Sequence, residues 1–283
     1  MNKVKIIADS TIDLTKEMYE ENDICVVPLQ VGFGSETYDD GVNIDQEQLY
    51  KKVAETKELP STAAISPDRF IEIAKPFVDE GYDIIFIGVG SKLSSTFQNM
   101  HIAAMEFDEG RAYCIDTDSL SSGSGLLALK CCKLRDEGKS AKEIYDLVQP
   151  MAKLVSAKFV LDQFDYMHKG GRCSAMVALF GHLFHIHPIL KMVDGKLTVG
   201  SKPRGPIKVA YKEMLKELEN DLPNIDMDNV MITHAGCNEE DLNYLKEEVS
   251  KLVDPKIVHI TPAGCVISSH CGYGTVGILY IKK

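Results

Sequence analysis

The chain has 283 residues and a formal net charge of −11 at pH 7. This length is enough for one large domain or two ordinary ones, each with its own core. The apolar and charged fractions are close to globular averages, which excludes disordered and collagen-like classes. A surface this acidic repels nucleic acid and anionic membranes, so an anionic ligand must be held by local donors.

The amino-terminal stretch MNKVKIIADS reads as a strand, and no secretory leader is visible in it. No run approaches the roughly 18 apolar residues of a transmembrane helix. The eight cysteines show neither a CxxC pair nor a regular spacing, so we expect them to be reduced and mostly buried. A cytoplasmic protein without membrane insertion is therefore expected.

The first half of the chain alternates buried strands with helices. Strands are predicted over 4–11, 24–31, 82–89 and 111–117. Helices are predicted over 46–56, 67–79, 95–107, 121–136 and 140–153. This alternation is typical of βαβ units and a parallel sheet.

The second half changes character. The predicted strands lie over 157–162, 228–235, 256–261 and 275–283, with a hairpin over 187–201 that turns at Asp194-Gly195. The predicted helices lie near 163–168 and 174–184 and over 206–220 and 239–252. We therefore expect an α/β fold with two α/β domains. Residues 1–155 would form a parallel sheet flanked by helices, and residues 156–283 a mixed sheet with helices.

Hydroxyl side chains gather at one predicted edge of the sheet. In open α/β sheets, ligands bind outside the carboxyl ends of the strands. The loops predicted there all contain serine or threonine, and they span 9–11, 60–66, 90–96 and 116–124. One such loop is explained by helix capping, whereas four at the same edge suggest a binding site.

The stretch SKLSSTFQ (91–98) follows an apolar strand and opens a predicted helix. Ser95 and Gln98 fit a capping box. The box leaves Ser94 unexplained. At a helix N-terminus, free N–H groups and the macrodipole favour an anion. The Ser94 hydroxyl and the Ser95 backbone N–H could therefore hold a carboxylate or a phosphate.

Two catalytic interpretations receive little support from the motifs. GVGSKL (88–93) has leucine where a dinucleotide fingerprint has its third glycine, and the chain contains no GxxxxGK[ST]. No GxSxG elbow surrounds Ser94, although His101, His234 and His270 are candidate bases. A Ser-dependent hydrolase stays open.

Three histidines, His182, His185 and His187, lie close together in GHLFHIH. They sit among apolar residues, and no carboxylate or thiol lies at ligand spacing. We interpret them as structural or solvent-facing histidines and expect no metal.

Two short basic segments stand out in an acidic chain. They contain Lys169 and Arg172 in KGGRCS, and Lys202 and Arg204 in KPRGPIK. Because arginine fits planar oxyanions well, these four residues form a candidate docking patch for an anionic partner. Solvated cations are the alternative.

His270 lies between a predicted strand and a glycine-rich turn, in TPAGCVISSHCGYGTVGI (261–278). A histidine in such a place is usually structural. Together with the hydroxyl-rich loops, it becomes a candidate donor to an acidic head group.

In this order, the segments resemble the DegV family of bacterial proteins, which bind fatty acids. The resemblance covers nearly the whole chain and rests on IIADST, PSTAAISP, GSKLSSTFQ, IDTDSLSSGSGLL, MHKGGRCSAM, the HPIL–DGKL hairpin and ISSHCGYGTVGI. It implies two α/β domains with a fatty acyl chain buried between them. The carboxylate would meet the hydroxyls of Thr62 and Ser94, the backbone N–H of Ser95, and His270.

In some members of this family the bound acid is presented to a separate kinase, which makes acyl phosphate for phospholipid synthesis. Such a binding subunit carries no ATP site, in keeping with the missing phosphate-binding lysine loop here. The chain departs from the family pattern at Thr62-Ala63-Ala64, in LSSTFQ and at Ser268-Ser269, which affect the pocket. It also departs in KPRGPIK, which bears on docking to a kinase.

The sequence thus predicts a protein that binds a long-chain fatty acid, presents it to a kinase and performs no chemistry itself. We expect neither a cofactor nor a metal. One alternative is a Ser-dependent acyl hydrolase that uses Ser94 and His270. A binder of a small anion, such as a sugar phosphate, is the other.

Overall fold

A computed structural model describes residues 2–173 and 186–283, where thirteen strands form three sheets. In chain order the strands are β1 (Val4–Asp9), β2 (Ile24–Val27), β3 (Gln30–Phe33), β4 (Glu36–Asp39), β5 (Ser61–Ala63), β6 (Asp83–Ile87), β7 (Ala112–Ile115), β8 (Val155–Val160), β9 (Ile189–Val193), β10 (Lys196–Val199), β11 (Ile225–Ala235), β12 (Val258–Pro262) and β13 (Thr275–Lys282).

Ten α-helices lie in the described ranges: Lys16–Glu21, Gln46–Thr56, Pro67–Asp79, Thr96–Ala104, Ser122–Asp136, Ala141–Val148, Asp165–Gly170, Lys208–Asp221, Glu239–Leu252 and Cys265–Cys271. Short 3₁₀ turns follow several of them, because a proline such as Pro150 ends the α-helical pattern. The α/β class predicted from the sequence is confirmed. The helix predicted near 174–184, with His182 and His185, lies outside the described residues.

The parallel sheet comes from the first half of the chain and has the strand order β2-β1-β6-β7. Its two central strands, β1 and β6, are apolar and buried along almost their whole length. This composition is typical of a parallel sheet that is covered on both faces. All its carboxyl ends point to one edge, where the loops after β1, β6 and β7 meet.

The second half forms a mixed sheet of the order β10-β9-β8-β13-β11-β12. Only β11 and β12 pair in parallel, and the other neighbours are antiparallel. The hairpin β9–β10 turns at Asp194-Gly195 as predicted. The first strand of this sheet begins at Val155, and the division into domains at that point stays a prediction.

A third sheet, of the order β4-β3-β5, was not predicted. The strand expected over 24–31 is wrong as a single element, because the chain leaves the parallel sheet at Pro28, which has no N–H to donate. The amide of Leu29 instead donates to Ser10 Oγ at 3.1 Å. The small sheet matters for the site because β5 carries Thr62, which pairs with Val31.

The helix Ser122–Asp136 joins the parallel sheet to the mixed sheet. One cluster of buried side chains contains Ile6 from β1, Leu127 from this helix and Leu279 from β13. The helix is therefore apolar on more than one face, and its amphipathic periodicity is weak. The two halves share a continuous core here. Within the described ranges, no helix has the length and apolar character needed to cross a membrane.

Candidate functional site

A cavity of about 210 Å³ lies where the carboxyl edge of the parallel sheet faces the second half of the chain. The loops after β1, β6 and β7, strand β5 and the helix Cys265–Cys271 contribute to its wall. Its described apolar lining consists of Leu29, Ala63, Ala64, Val89, Leu93, Leu120, Met167, Leu197, Val266, Ile267 and Cys271. Its described polar lining consists of Thr11, Thr62, Ser94, Ser95, Arg172 and His270.

The four residues predicted to meet a ligand head group all line this cavity. Thr62 comes from the small sheet, Ser94 and Ser95 from the loop after β6, and His270 from the helix Cys265–Cys271. Thr62 Oγ1 lies 2.9 Å from His270 Nε2, within hydrogen-bond distance. Residues 208 positions apart therefore meet at one point of the wall.

His270 is held as a neutral imidazole. Burial, and to a smaller extent the positive charge of Arg172, lower the pKa of His270 to about 4. Its second nitrogen, Nδ1, is buried without a hydrogen-bond partner among the described residues. A Cβ atom at Gly170 would lie 2.4 Å from Nδ1, so the ring packs directly against a residue without a side chain.

The capping box predicted at Ser95 and Gln98 is wrong. Ser95 occupies the N-cap position of the helix Thr96–Ala104 but makes no side-chain cap. The Thr96 N–H instead donates to Ser94 Oγ at 3.2 Å, and the two hydroxyls lie 2.9 Å apart. A serine that bonds two residues ahead is a common turn motif, and the spacing Ser94-x-Thr96 would have been the sequence signal for it.

The backbone N–H of Ser95 has no acceptor among the described residues. It belongs to the free N–H groups that every helix N-terminus carries, here at the start of a nine-residue helix. Because Ser95 lines the cavity, this N–H and the Ser94 hydroxyl are available to an oxyanion.

Arg172, which the sequence suggested only as a docking residue, also lines the cavity and is exposed to solvent. It is the one charged side chain in the described lining. Its Nη1 donates to the Gly170 carbonyl at 2.6 Å and its Nε to the Leu93 carbonyl at 3.4 Å. Sequence spacing gave no signal for this placement, because Arg172 and Leu93 are 79 positions apart.

The other predicted docking residues lie at the surface. Lys169, Lys202 and Arg204 are exposed. Lys169 Nζ donates to the carbonyl of Leu59, which connects the second half of the chain to the segment before β5. No further structural feature of these residues identifies a partner.

The helix that carries His270 was not predicted from the sequence, where His270 lies between a predicted strand and a glycine-rich turn. Cys265–Cys271 begins after Gly264 and ends at Gly272, which has a positive φ of 80°. Its serines and β-branched residues are poor helix formers, so tertiary contacts must hold it. Propensity alone could not have predicted it.

A second, smaller void of about 20 Å³ lies next to the cavity. The two share Leu120, Ile267 and Cys271 in their walls. The second void reaches strands of the mixed sheet at Phe159 and Leu279, and most of its lining residues are apolar. The apolar side chains that the two voids share therefore lead from the cavity toward the mixed sheet, and this direction is called the apolar path.

Metal binding finds no geometric support in the described parts of the chain. There, no group of three or more histidine, cysteine, aspartate or glutamate side chains is placed to hold an ion. His187 Nδ1 lies 4.0 Å from Asp162 Oδ1, and the other two histidines of that segment lie outside the described residues.

We predict that His270 stays neutral to about pH 4. The ¹H and ¹³C shifts of its imidazole, followed by NMR in ligand-free protein, should titrate well below the ordinary histidine value of about 6.5. In Arg172→Met the midpoint should rise, because a nearby positive charge is removed. It should still stay below about 6.5, because burial is the larger cause. A wild-type midpoint of about 6.5 or more would contradict this description of the site.

Comparison with known proteins agrees with this architecture. A family model described as "Uncharacterised protein, DegV family" matches residues 3–283. A DegV domain-containing protein of Clostridium acetobutylicum is 33% identical over 292 aligned positions that cover 100% of both chains.

Solved structures match over the whole chain as well. A DegV family protein from Thermus thermophilus, whose description names fatty acid binding, has a TM-score of 0.92 at 27% identity, with 100% of both chains covered. DegV from Bacillus subtilis, described as a fatty acid binding protein, has a TM-score of 0.87 at 28% identity, again with 100% of both chains covered. With the family match spanning residues 3–283, the chain belongs to the DegV family.

Proposed function

We propose that this protein binds one long-chain fatty acid, with the carboxylate at the polar end of the cavity and the tail along its apolar path. The observation that carries the proposal is that Thr62, Ser94, Ser95 and His270 line one cavity, with Thr62 and His270 in hydrogen-bond contact. Apart from Thr11 and Arg172, the rest of its described lining is apolar. The DegV relatives described as fatty-acid-binding proteins support it.

The hydrogen-bond pattern suggests how the head group is held. A neutral imidazole has one N–H, and an unpaired buried donor is costly. We therefore place the proton of His270 on Nε2, where it donates to Thr62 Oγ1, and leave the partnerless Nδ1 as an acceptor. The Thr62 hydroxyl then donates its own proton to the carboxylate, so His270 acts through Thr62.

Ser94 supplies a second hydroxyl in the same way. Its oxygen already accepts the Thr96 N–H, and the buried Thr96 hydroxyl can donate to it as well. The proton of Ser94 is then free for the ligand. With the Ser95 N–H, the carboxylate receives three donors, each contributing about 1.5–3 kcal/mol as a hydrogen bond to a charged group. These donors offset the cost of removing the anion from water.

The tail supplies most of the affinity. Each buried CH₂ contributes about 0.8 kcal/mol, so a chain of about fifteen methylenes contributes on the order of 12 kcal/mol before association costs. The cavity of about 210 Å³ is smaller than the roughly 300–1,000 Å³ of a typical ligand pocket. We therefore infer that entry of a long tail moves the side chains that both voids share, which are Leu120, Ile267 and Cys271.

We further propose that the bound acid is presented to a separate kinase, with no chemistry performed by this chain. Neutral donors leave the carboxylate oxygens nucleophilic, whereas a bidentate arginine would occupy both. Arg172 already uses Nη1 and Nε on backbone carbonyls. The exposed cations Lys169, Lys202 and Arg204 suit a partner with an acidic surface. Because acyl phosphate formation needs ATP, we place the function in the cytoplasm.

Geometry disfavours the hydrolase alternative. A Ser-dependent hydrolase needs a hydrogen bond between the nucleophile and its base. Among the described residues Ser94 Oγ bonds to Thr96, and His270 Nε2 bonds to Thr62. The apolar path into the mixed sheet likewise favours an amphiphile over a small anion such as a sugar phosphate.

The substitution Thr62→Val tests the head-group site. Valine keeps the shape but removes the hydroxyl, so palmitate affinity should fall by about tenfold to a hundredfold in calorimetry. Affinity for the methyl ester of the same acid should change much less. Ser61→Ala is the matched control, because Ser61 is exposed on the same strand and, among the described residues, its hydroxyl bonds only to the Gly32 carbonyl. Equal affinities of wild type and Thr62→Val for palmitate would refute the assignment.

Presentation to a kinase can be tested by trapping acyl phosphate with hydroxylamine. Protein loaded with labelled palmitate should yield acyl hydroxamate with ATP and a cell extract of the encoding organism, and none with ATP alone. The double variant Lys202→Glu, Arg204→Glu should reduce the yield about tenfold at low salt while palmitate affinity is kept. Hydroxamate formed without extract, release of acid from added esters, or no product with extract would each count against presentation.

A further inference from the structure

The helix Cys265–Cys271 carries His270, yet its own sequence provides no side-chain cap. Its N-cap residue is Gly264. Two carboxyl groups from the first half of the chain accept the backbone N–H groups at this helix end instead. Asp13 Oδ1 accepts the Gly264 N–H at 2.8 Å, and Asp40 Oδ1 accepts the Cys265 N–H at 2.6 Å. The first turn of the helix is thus satisfied by residues more than 220 positions away.

Both carboxyl groups are fixed by a second contact. Ser10 Oγ donates to Asp40 Oδ2 at 2.8 Å, and Ser121 Oγ donates to Asp13 Oδ2. Asp13 and Asp40 are almost completely buried. Neither side chain can therefore turn away without losing a hydrogen bond inside the protein, and such a loss is costly.

The backbone at Gly264 packs directly against the two carboxyl groups. A Cβ atom at Gly264 would lie 3.0 Å from Asp40 Oδ2 and 3.2 Å from Asp13 Oδ1. A residue with a side chain would press against both. The absence of a side chain at Gly264 therefore fits the contact with Asp13 and Asp40.

Two buried carboxyl groups at this place are expensive for the fold. Burial raises the pKa of Asp13 and Asp40, and the like charges of Asp40 and then Asp9 raise the pKa of Asp13 further. The positive end of the helix dipole offsets part of this cost, because anions are stabilised at helix N-termini. Their presence calls for a role beyond packing.

A short helix moves as a rigid unit, so the contacts at its first turn also fix the position of His270. His270 lies only five positions after Cys265, a rise of about 7.5 Å along the axis. A shift of the first turn therefore moves the imidazole by a similar amount. The hydrogen bond between His270 Nε2 and Thr62 Oγ1, at 2.9 Å, tolerates only a few tenths of an ångström.

We propose that Asp13 and Asp40 are positioning residues of the head-group site: by holding the first turn of Cys265–Cys271, they set His270 against Thr62. Neither carboxyl touches the ligand. The inference about geometry stands on the described contacts, and only its effect on affinity rests on the proposed function.

The imidazole ¹⁵N shifts of His270, measured by NMR in ligand-free protein, test this proposal. In Asp40→Ala the Nε2 signal should move toward its position in Thr62→Val, and palmitate should bind about tenfold more weakly or worse. Asp40→Asn keeps an oxygen that can accept the Cys265 N–H, so it should restore both readouts. Asp39→Ala is the matched control, because Asp39 is the neighbouring acid and its carboxyl makes no contact with this helix among the described residues.

Gly264→Ala provides a second variant in case Asp40→Ala does not fold. It keeps both carboxyl groups but presses on them, so the Nε2 signal should move in the same direction. Unchanged ¹⁵N shifts of His270 in a folded Asp40→Ala or Gly264→Ala protein would overturn the proposal. A purely destabilising substitution lowers the melting temperature without altering these shifts. If the shifts move and wild type binds no fatty acid, the positioning role stands and the proposed function fails.

Discussion

The hydrogen bond between Thr62 Oγ1 and His270 Nε2 closes the polar end of the cavity and joins two distant parts of the chain. Thr62 lies on an edge strand of the small sheet, where its pairing with Val31 fixes its position along the strand. His270 lies on a short helix whose first turn is held by Asp13 and Asp40. Neither half of the chain contains the site alone, so the site forms only when both halves are folded against each other.

Charge explains why the four proposed head-group residues are neutral although Arg172 also lines the cavity. The chain carries a net charge of −11, and an anion in its interior costs several kcal/mol unless donors surround it. Burial and Arg172 keep His270 neutral, so it supplies a hydrogen bond and no charge. Under the proposed function, the donors offset the free-energy cost of burying the carboxylate, and the methylenes of the tail contribute most of the affinity. Chain length is then the main determinant of binding strength.

Much of the fold could be predicted from the sequence, because buried strands and amphipathic helices have clear periodicities. The hairpin at Asp194-Gly195 was predicted from its turn residues. The small sheet was missed because its strands are short and Pro28 lies inside an apolar run. The helix Cys265–Cys271 was missed because tertiary contacts, and not propensity, hold it.

Some features of the candidate site could likewise be predicted from the sequence, and others could not. Hydroxyl-rich loops at one sheet edge could be predicted from topology, and Ser94 was identified on that basis. The capping box predicted for Ser95 and Gln98 was wrong, because Ser95 makes no side-chain cap and the Thr96 N–H donates to Ser94. The placement of Arg172 in the cavity wall, and the pairing of Thr62 with His270, depend on contacts across the whole chain. No sequence spacing encodes such contacts.

Native mass spectrometry of protein purified from a lipid-containing bacterial host, without any delipidation, can detect the proposed fatty acid itself. We expect a population heavier than the bare chain by the mass of one long-chain fatty acid, released as free acid on denaturation. A bare chain that stays bare after excess palmitate is added would contradict it, as would an adduct with the mass of a small polar anion.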